Sequence, residues 1–249
     1  MRNRRLLRAD RARRVADLLR RQIVVGAYAD AFPAEHELAC EYSVSRNVVR
    51  DAFVLLRTEG LIERRPRIGT QVVQRKYDHG FDTLLGLKET LRHHGDVRNE
   101  VRAVTEIEAP PEVGRRLGLL PRAHVFCIER LRFVADGPTS LDVTYLVPDV
   151  GVAVVERDLE NDDVFSLIEE TCGSPLGTAD LTIEAITADA DTAATLQMPT
   201  GGALLLLERL TRLADGRPVD LEYIRMRGDR ITMCGRPARP RQSDNEQGW

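Results

Sequence analysis

The sequence predicts an α+β protein of two domains, a helical N-terminal head and a C-terminal body built on an antiparallel sheet. Three observations support this prediction. Residues 33–73 read as two short helices, a tight turn and a small basic hairpin. Residues 105–137 recur at residues 184–216, with an offset of 79 and no gap. Charge is divided in the same way, because residues 1–76 hold 17 Lys/Arg and 9 Asp/Glu, whereas the remainder holds 19 and 30. A basic head joined to an acidic body suits a protein whose head contacts phosphate.

The first element of the head is predicted to be a helix at residues 10–25. Residues 1–9 precede it as a basic arm, which either follows a phosphate backbone or serves only as a solubilising tail. The inward stripe of the helix, at helical spacing, consists of Val15, Leu18, Leu19 and Ile23.

The clearest helical pattern of the head lies between residues 45 and 58. Ser45 is expected to cap the first turn through its hydroxyl. A shorter helix precedes it at residues 35–42, and the Ser43-Val44 connection is short enough only for a helix-turn-helix corner. The second helix is therefore predicted to enter a DNA major groove. Its buried face, at i, i+3, i+4, i+7 spacing, consists of Val49, Ala52, Phe53 and Leu56.

Two short strands, residues 61–65 and 70–73, are predicted to follow this helix. The loop that joins them is cationic and is placed to touch the DNA backbone or the minor groove as a wing. The alternative interpretation is a helical hairpin whose basic face is simply solvated. The wing and its cations favour DNA binding.

These motifs resemble the winged helix-turn-helix of the GntR superfamily of bacterial transcription regulators. His36, Val48 and Arg67 depart from the family pattern, where an arginine, a threonine and a glycine are usual, and this implies an unfamiliar operator sequence. The matching residues are Pro33, Glu35, Glu37, Leu38, Ala39, Val44, Ser45, Arg46, Val49, Arg50, Glu59, Gly60, Leu61, Ile62, Gly69 and Thr70. The predicted DNA-binding residues are His36, Ser45, Arg46, Asn47, Val48, Arg50, Arg65, Arg67, Gly69 and Thr70.

The repeat in the second half predicts the architecture of the body. Each copy has a short helix, a strand, an Asp-Gly turn and a second strand. We expect an antiparallel sheet of about six strands, built as two pseudo-symmetric halves with helices against one face. Residues 163–173 form a helix between the copies, and residues 74–98 are a linker that leads into one short amphipathic helix.

A ligand pocket is expected at the seam of this sheet, because neither half fills the seam alone. Arg130 and Arg132 alternate along one strand, so they share a face and are predicted to point outward from it. Two guanidinium groups on a shared face suit a carboxylate or a phosphate. The alternative is that both arginines form surface ion pairs with neighbouring acids.

The body resembles the UTRA effector-binding domain of the HutC-type branch of this superfamily, over residues 98–235. That fold is shared with chorismate lyase. Asp163 stands where many members that sense sugar phosphates have a serine, so a carboxylate-bearing effector is expected rather than a phosphosugar. The resemblance implies the effector-binding residues Arg130, Arg132, Asp142, Asp163, Asp220 and Glu222.

The expected function is a sequence-specific DNA-binding regulator, a repressor that binds a palindromic operator as a homodimer and releases or engages it under control of a small molecule. One alternative is a chorismate-lyase-like enzyme fused to a DNA-binding head, and another is a structural DNA-coating protein with an empty seam. The expected segments are a basic arm (1–9), a winged helix-turn-helix (10–75), a linker with a short helix (76–97), a UTRA-like domain (98–235) and a disordered tail (236–249).

The remaining composition narrows the setting. Four scattered cysteines without a CxxC pair favour reduced thiols in the cytoplasm over a disulfide framework or a zinc site. No apolar run reaches the length of a membrane span. No cofactor, no metal and no membrane partner are expected.

Overall fold

The computed structural model describes residues 2–28, 32–67, 69–73, 76–135 and 137–238, with side chains from Leu7 onward except that of His93. The chain divides into two compact units, residues 1–77 and residues 78–249. The unit boundary falls at the first residue of a strand, Tyr77.

The N-terminal unit consists of three helices and a two-stranded hairpin. The hairpin strands are antiparallel, with Ile62 opposite Val72 and Arg65 opposite Gly69. The elements are helices α1 (Arg2–Val24), α2 (Glu35–Glu41) and α3 (Arg46–Thr58), followed by strands β1 (Ile62–Arg65) and β2 (Gly69–Val72). The predicted winged helix-turn-helix is therefore present, and its strands begin or end within one residue of the predicted positions.

The core of this unit forms where α1 crosses α3. The four apolar residues predicted for the inner face of α3 are all buried, as are Val15, Leu19 and Ile23 of α1. Leu18 is a correction, because its side chain is 53% exposed. Successive helical residues are about 100° apart, so the residue next to Leu19 turns away from the stripe that Leu19 joins.

Two other details of the head differ from the prediction. Helix α1 begins at Arg2, so the backbone of the predicted arm is helical, and Arg8 donates to both carboxylate oxygens of Asp51 on α3, at 2.6 and 2.7 Å. Ser45 does occupy the N-cap position of α3, but its side chain makes no capping hydrogen bond. At α2 the cap comes from Glu37, whose carboxylate accepts from the Ala34 N–H at 2.7 Å.

The body is organised around a six-stranded antiparallel sheet in the order β4-β5-β6-β9-β8-β7. Its strands are β4 (Val97–Glu108), β5 (His124–Val134), β6 (Gly137–Leu146), β7 (Leu176–Thr187), β8 (Ala203–Leu213) and β9 (Pro218–Arg227). The helices are α4 (Leu87–Leu91), α5 (Pro111–Arg116), α6 (Pro148–Val154), α7 (Val164–Cys172) and α8 (Ala190–Thr195), and a 3-10 turn spans Arg92–His94.

The predicted duplication is confirmed by this topology. Strands β4 and β7, helices α5 and α8, and strands β5 and β8 begin 79 residues apart, which is the offset of the sequence repeat. The two copies meet at the β6–β9 pair, in the middle of the sheet. Asp136, which belongs to the predicted Asp-Gly turn of the first copy, lies outside the described residues.

The expectation that helices cover one face of the sheet is wrong. Glu208 and Arg209 are neighbours on β8 and therefore point to opposite faces. Arg209 lies over the Phe165 ring of α7, whereas Glu208 pairs with Arg116 at the end of α5. Helices α5 and α7 thus pack on opposite faces, and the sheet is the central layer of the body.

The predicted linker also contains a strand that the sequence pattern does not show. Strand β3 (Tyr77–Gly80) forms a two-stranded sheet with β10 (Ile231–Cys234), so the first and last strands of the body are paired. Residues 235–238 have no regular structure, and residues 239–249 of the expected tail lie outside the described residues.

A comparison of adjacent leucines tests the core of the head. We expect Leu19→Ala to destabilise the N-terminal unit by about 2–5 kcal/mol, since it removes a fully buried side chain. Leu18→Ala, the same change at the next residue, should stay within about 0.5 kcal/mol. Hydrogen exchange of the α3 amides in the full chain measures both, and equal losses would contradict this description of the core.

Candidate nucleic-acid interface and ligand site

The first turn of α3 presents polar side chains on the side opposite the core. Ser45, Arg46 and Asn47 are exposed, whereas Val49 in the same turn is completely buried. The helix is therefore held by its apolar face while its N-terminal residues remain accessible. This arrangement suits a helix that reads base edges in a major groove.

Val48 is a correction to the predicted DNA-binding residues. Its side chain is only 4% exposed and belongs to the core of the head. The position therefore contributes packing rather than a contact to DNA. An apolar residue in place of the threonine usual in the family is consistent with this burial.

Arg50 and His36 are exposed near the same surface, as predicted. The Arg50 guanidinium donates to Glu35 Oε2 of α2 at 2.7 Å. Because both side chains are solvated, this ion pair contributes little to stability, and a phosphate can replace the carboxylate at small cost.

The hairpin loop holds Arg67 in an unusual backbone conformation. Its φ is +68°, in the left-handed region, and that of Gly69 is +108°. A side chain in this region costs about 1 kcal/mol, which glycine avoids. The glycine that the family has at position 67 therefore fits the backbone better, and Arg67 adds a cation at some expense in local stability. Arg65 is exposed and paired with Glu63, and the Thr70 carbonyl accepts from the Phe32 N–H at 3.1 Å.

The body carries a layer of buried charge on the sheet face that α7 covers. The predicted effector arginines do not point into solvent, and this is a correction to the expected surface position. Charged side chains are normally excluded from such an environment unless they are paired. The charged residues buried in this layer are Arg130, Arg132, Asp142, Arg209, Asp220 and Glu222.

Two ion pairs account for most of this layer. Arg132 donates to Asp142 Oδ2 at 2.7 Å, and the Ser140 hydroxyl donates to the other carboxylate oxygen at 2.7 Å. Arg209 donates to Glu222 through Nε at 2.8 Å and also through Nη2. Both pairs join neighbouring strands, one pair in each half of the sheet.

Arg130 is the exception in this layer. It is the counterpart of Arg209 in the repeat, and its cross-strand neighbour is Asp142, just as that of Arg209 is Glu222. The carboxylate of Asp142 is engaged by Arg132 and Ser140 instead. Arg130 is 2% exposed, its Nε has no hydrogen-bond partner, and no ion pair to it is found within the described residues.

The pKa directions of the two arginines agree with this asymmetry. Burial, together with the positive charge of Arg132, lowers the pKa of Arg130. Burial also acts to lower the pKa of Arg209, but the nearby Glu222 and Asp220 outweigh it and raise that pKa. An anionic ligand would supply to Arg130 the countercharge that Glu222 supplies to Arg209.

The remaining predicted acids have different environments. Asp220 is fully buried, and neither carboxylate oxygen has a hydrogen-bond partner among the described residues. Burial, and then the charge of Glu222, raise the pKa of Asp220 well above its usual value. Asp163 is the N-cap of α7, where its Oδ1 accepts from the Phe165 N–H at 3.0 Å. The Asp163 carboxylate thus serves the helix and leaves no place for an anion at that atom.

His79 is a residue of this region that was not among the predicted sites. It lies on β3 and is 3% exposed, and its Nδ1 has no hydrogen-bond partner in the described part of the chain. Burial, with smaller contributions from Arg209 and Arg132, lowers the pKa of His79 to about 4. A single histidine without periodic neighbours gives no sequence signal, because its position depends on the pairing of β3 with β10.

The two related arginines provide a matched test of this layer. We expect Arg130→Met to leave the ligand-free protein at least as stable as the wild type, since it removes a buried charge without a partner. Arg209→Met should destabilise the body by about 3–5 kcal/mol, because Glu222 would be left buried and unpaired. Urea unfolding of the full chain measures both, and a larger loss for Arg130→Met would contradict the assignment.

The environment of His79 predicts a dependence of stability on pH. The unfolded chain binds a proton at this histidine below a pKa of about 6.5, whereas the folded chain does so only below about 4. Stability is therefore lost as the pH falls through this window, by about 2 kcal/mol between pH 7 and pH 5. Asp220 acts in the opposite direction, so the quantity to measure is the difference between wild type and His79→Gln. Equal pH profiles of urea unfolding for the two proteins would exclude this role.

Comparison with known proteins identifies both units. Residues 11–72 match the family model described as bacterial regulatory proteins, gntR family, and residues 92–232 match the UTRA domain. An HTH-type transcriptional regulator of Mycobacterium tuberculosis is 29% identical over 206 residues, covering 80% of this chain and 74% of that protein. The transcriptional repressor NagR of Bacillus subtilis is 25% identical over 201 residues, covering 80% and 82%.

A solved structure supports the same conclusion. That of PhnF from Mycobacterium smegmatis superposes with a TM-score of 0.66 and 26% identity, over 84% of this chain and 92% of that one. Within the described residues, no helix combines the length and the apolar character needed to cross a membrane. The named relatives are regulators of transcription, and the enzyme alternative receives no support from them. The chain belongs to the GntR family of DNA-binding transcriptional regulators that carry a UTRA effector domain.

Proposed function

We propose that this regulator is a homodimeric repressor that binds a palindromic operator in double-stranded DNA and is controlled by a carboxylate-bearing small molecule. The single observation that carries the DNA-binding part is the exposed first turn of α3, with Arg46 and Asn47 directed away from a fully packed core. Arg50 and the cations of the β1–β2 loop extend the same basic surface. Base contacts come from the first turn, and phosphate contacts come from the loop.

A dimer with two such heads matches an operator with two-fold symmetry. Half-sites about 10–10.5 base pairs apart place both α3 helices on one side of the duplex. The acidic body, with a net charge of −11, is repelled by the phosphate backbone, so binding is directed to the basic head. The protein acts in the cytoplasm, where the operator is located.

The effector part of the proposal is supported by Arg130. A buried guanidinium without a partner favours the binding of an anion, because the anion removes the cost of an uncompensated charge. Asp163 occupies the N-terminus of α7 with its own carboxylate, which favours a carboxylate at Arg130 over a phosphate at the helix. A ligand that prefers one arrangement of the dimer would change operator affinity by a coupling of about 1–3 kcal/mol.

Substitution in the first turn of α3 tests the DNA-binding surface. The purified chain is first used to select its preferred duplex from a random pool. We expect Arg46→Ala to weaken binding to that duplex by about 1–3 kcal/mol, whereas binding to unrelated DNA changes much less. Arg122→Ala, which removes the same charge from an exposed site on the body, is the control. An unchanged footprint and affinity for Arg46→Ala would refute its assigned role.

A further inference from the structure

A cavity of about 230 Å³ lies beside the buried charge layer, within the body. Its volume corresponds to about eight water molecules. The lining is largely apolar, with leucines from the segment that follows β3 and from strands β7 and β8. The lining residues used below are His79, Leu84, Ala179, Leu181, Leu207 and Arg209.

The charge of Arg209 is not available to a ligand in this cavity. Its guanidinium is paired with Glu222, and its Nη1 also donates to the Leu85 carbonyl at 3.2 Å. The cavity therefore offers apolar surface without a free countercharge. An uncharged group is the occupant that such a lining favours.

His79 provides the specific polar contact of the cavity. It is a buried side chain whose Nδ1 lacks a hydrogen-bond partner among the described residues. The imidazole is neutral at physiological pH, since burial holds its pKa near 4. A buried polar atom of this kind distinguishes a ligand that completes its hydrogen bond from one that does not.

The cavity and Arg130 are close enough to hold one small molecule. Strands β5 and β8 are separated by β6 and β9, which places their backbones about 14 Å apart at the usual strand spacing. The extended Arg130 side chain spans part of that distance. His79 lies within electrostatic range of Arg132 and of Arg209, so it sits between the two halves of the layer.

We propose that this cavity receives the uncharged body of a carboxylate-bearing effector and that His79 selects that body through a hydrogen bond to Nδ1. The inference rests on the proposed effector function, which assigns the carboxylate to Arg130. It adds the chemical class of the ligand, a carboxylic acid with a compact apolar body that bears one hydrogen-bonding group.

Calorimetric titration of the full chain with acetate, butyrate, benzoate and 3-hydroxybenzoate tests the cavity. We expect affinity to rise with the apolar body, by about fourfold for each methylene buried. Ala179→Leu fills the cavity and should abolish this gain, leaving acetate binding unchanged. Ala185→Leu is the matched control, because Ala185 lies on the same strand and the same face but is exposed and does not line the cavity.

The role of His79 is tested with the two aromatic acids. We expect 3-hydroxybenzoate to bind more tightly than benzoate to the wild type, by about tenfold, and this advantage should disappear in His79→Leu while benzoate still binds. An advantage that persists in His79→Leu overturns the role of His79. A preference for larger bodies that persists in Ala179→Leu overturns the role of the cavity.

Arg130→Gln separates this inference from the proposed function. If that variant loses every acid while Ala179→Leu behaves as the wild type, the effector site stands and the cavity assignment fails. If Arg130→Gln binds all four acids as the wild type does, the carboxylate assignment at Arg130 itself fails. Failure of all four acids to bind the wild-type chain overturns the ligand class.

Discussion

The body depends on the ion pair between Arg209 and Glu222. Both side chains are buried in the centre of a sheet that has helices on each face, where a single unpaired charge would be costly. The same guanidinium donates to the Leu85 carbonyl and lies over the Phe165 ring at 4.2 Å. One side chain therefore joins β8, β9, α7 and the segment after β3. The cavity beside His79 keeps its walls because these elements are held together.

Duplication explains why this pair has an unequal counterpart. The two halves share their strands, their helices and the arginine at the equivalent position of β5 and β8. They differ in which carboxylate each arginine can reach, because Arg132 has no arginine counterpart on β8, where Thr211 stands. Asp142 pairs with Arg132, and Arg130 is left without a countercharge. Stability and ligand affinity are thus assigned to different halves of one sheet.

Much of the fold could be predicted from the sequence, because two strong periodicities are present. The spacing of Val49, Ala52, Phe53 and Leu56 follows the buried face of α3, and the offset of the repeat matches the spacing of the strands. The errors occurred where a pattern has lower resolution than the structure. Hydrophobicity alone did not separate Leu18 from Leu19, or show that Val48 is packed.

The ligand site was harder to predict for a different reason. Arginines on a strand suggest a solvated face, and their burial depends on elements distant in sequence that cover them. Strands β3 and β10 are both four residues long and lie near opposite ends of the body, so neither carries a periodic signal. The position of His79 follows from their pairing, which only the folded chain displays.

The division of labour between Arg130 and Arg209 has a consequence for how such regulators diversify. A change near Arg130 alters which molecule is recognised and leaves the interaction that secures the sheet intact. A change at Arg209 threatens the whole body before any new specificity can be gained. The duplicated unit has therefore given evolution one copy to vary and one copy to keep.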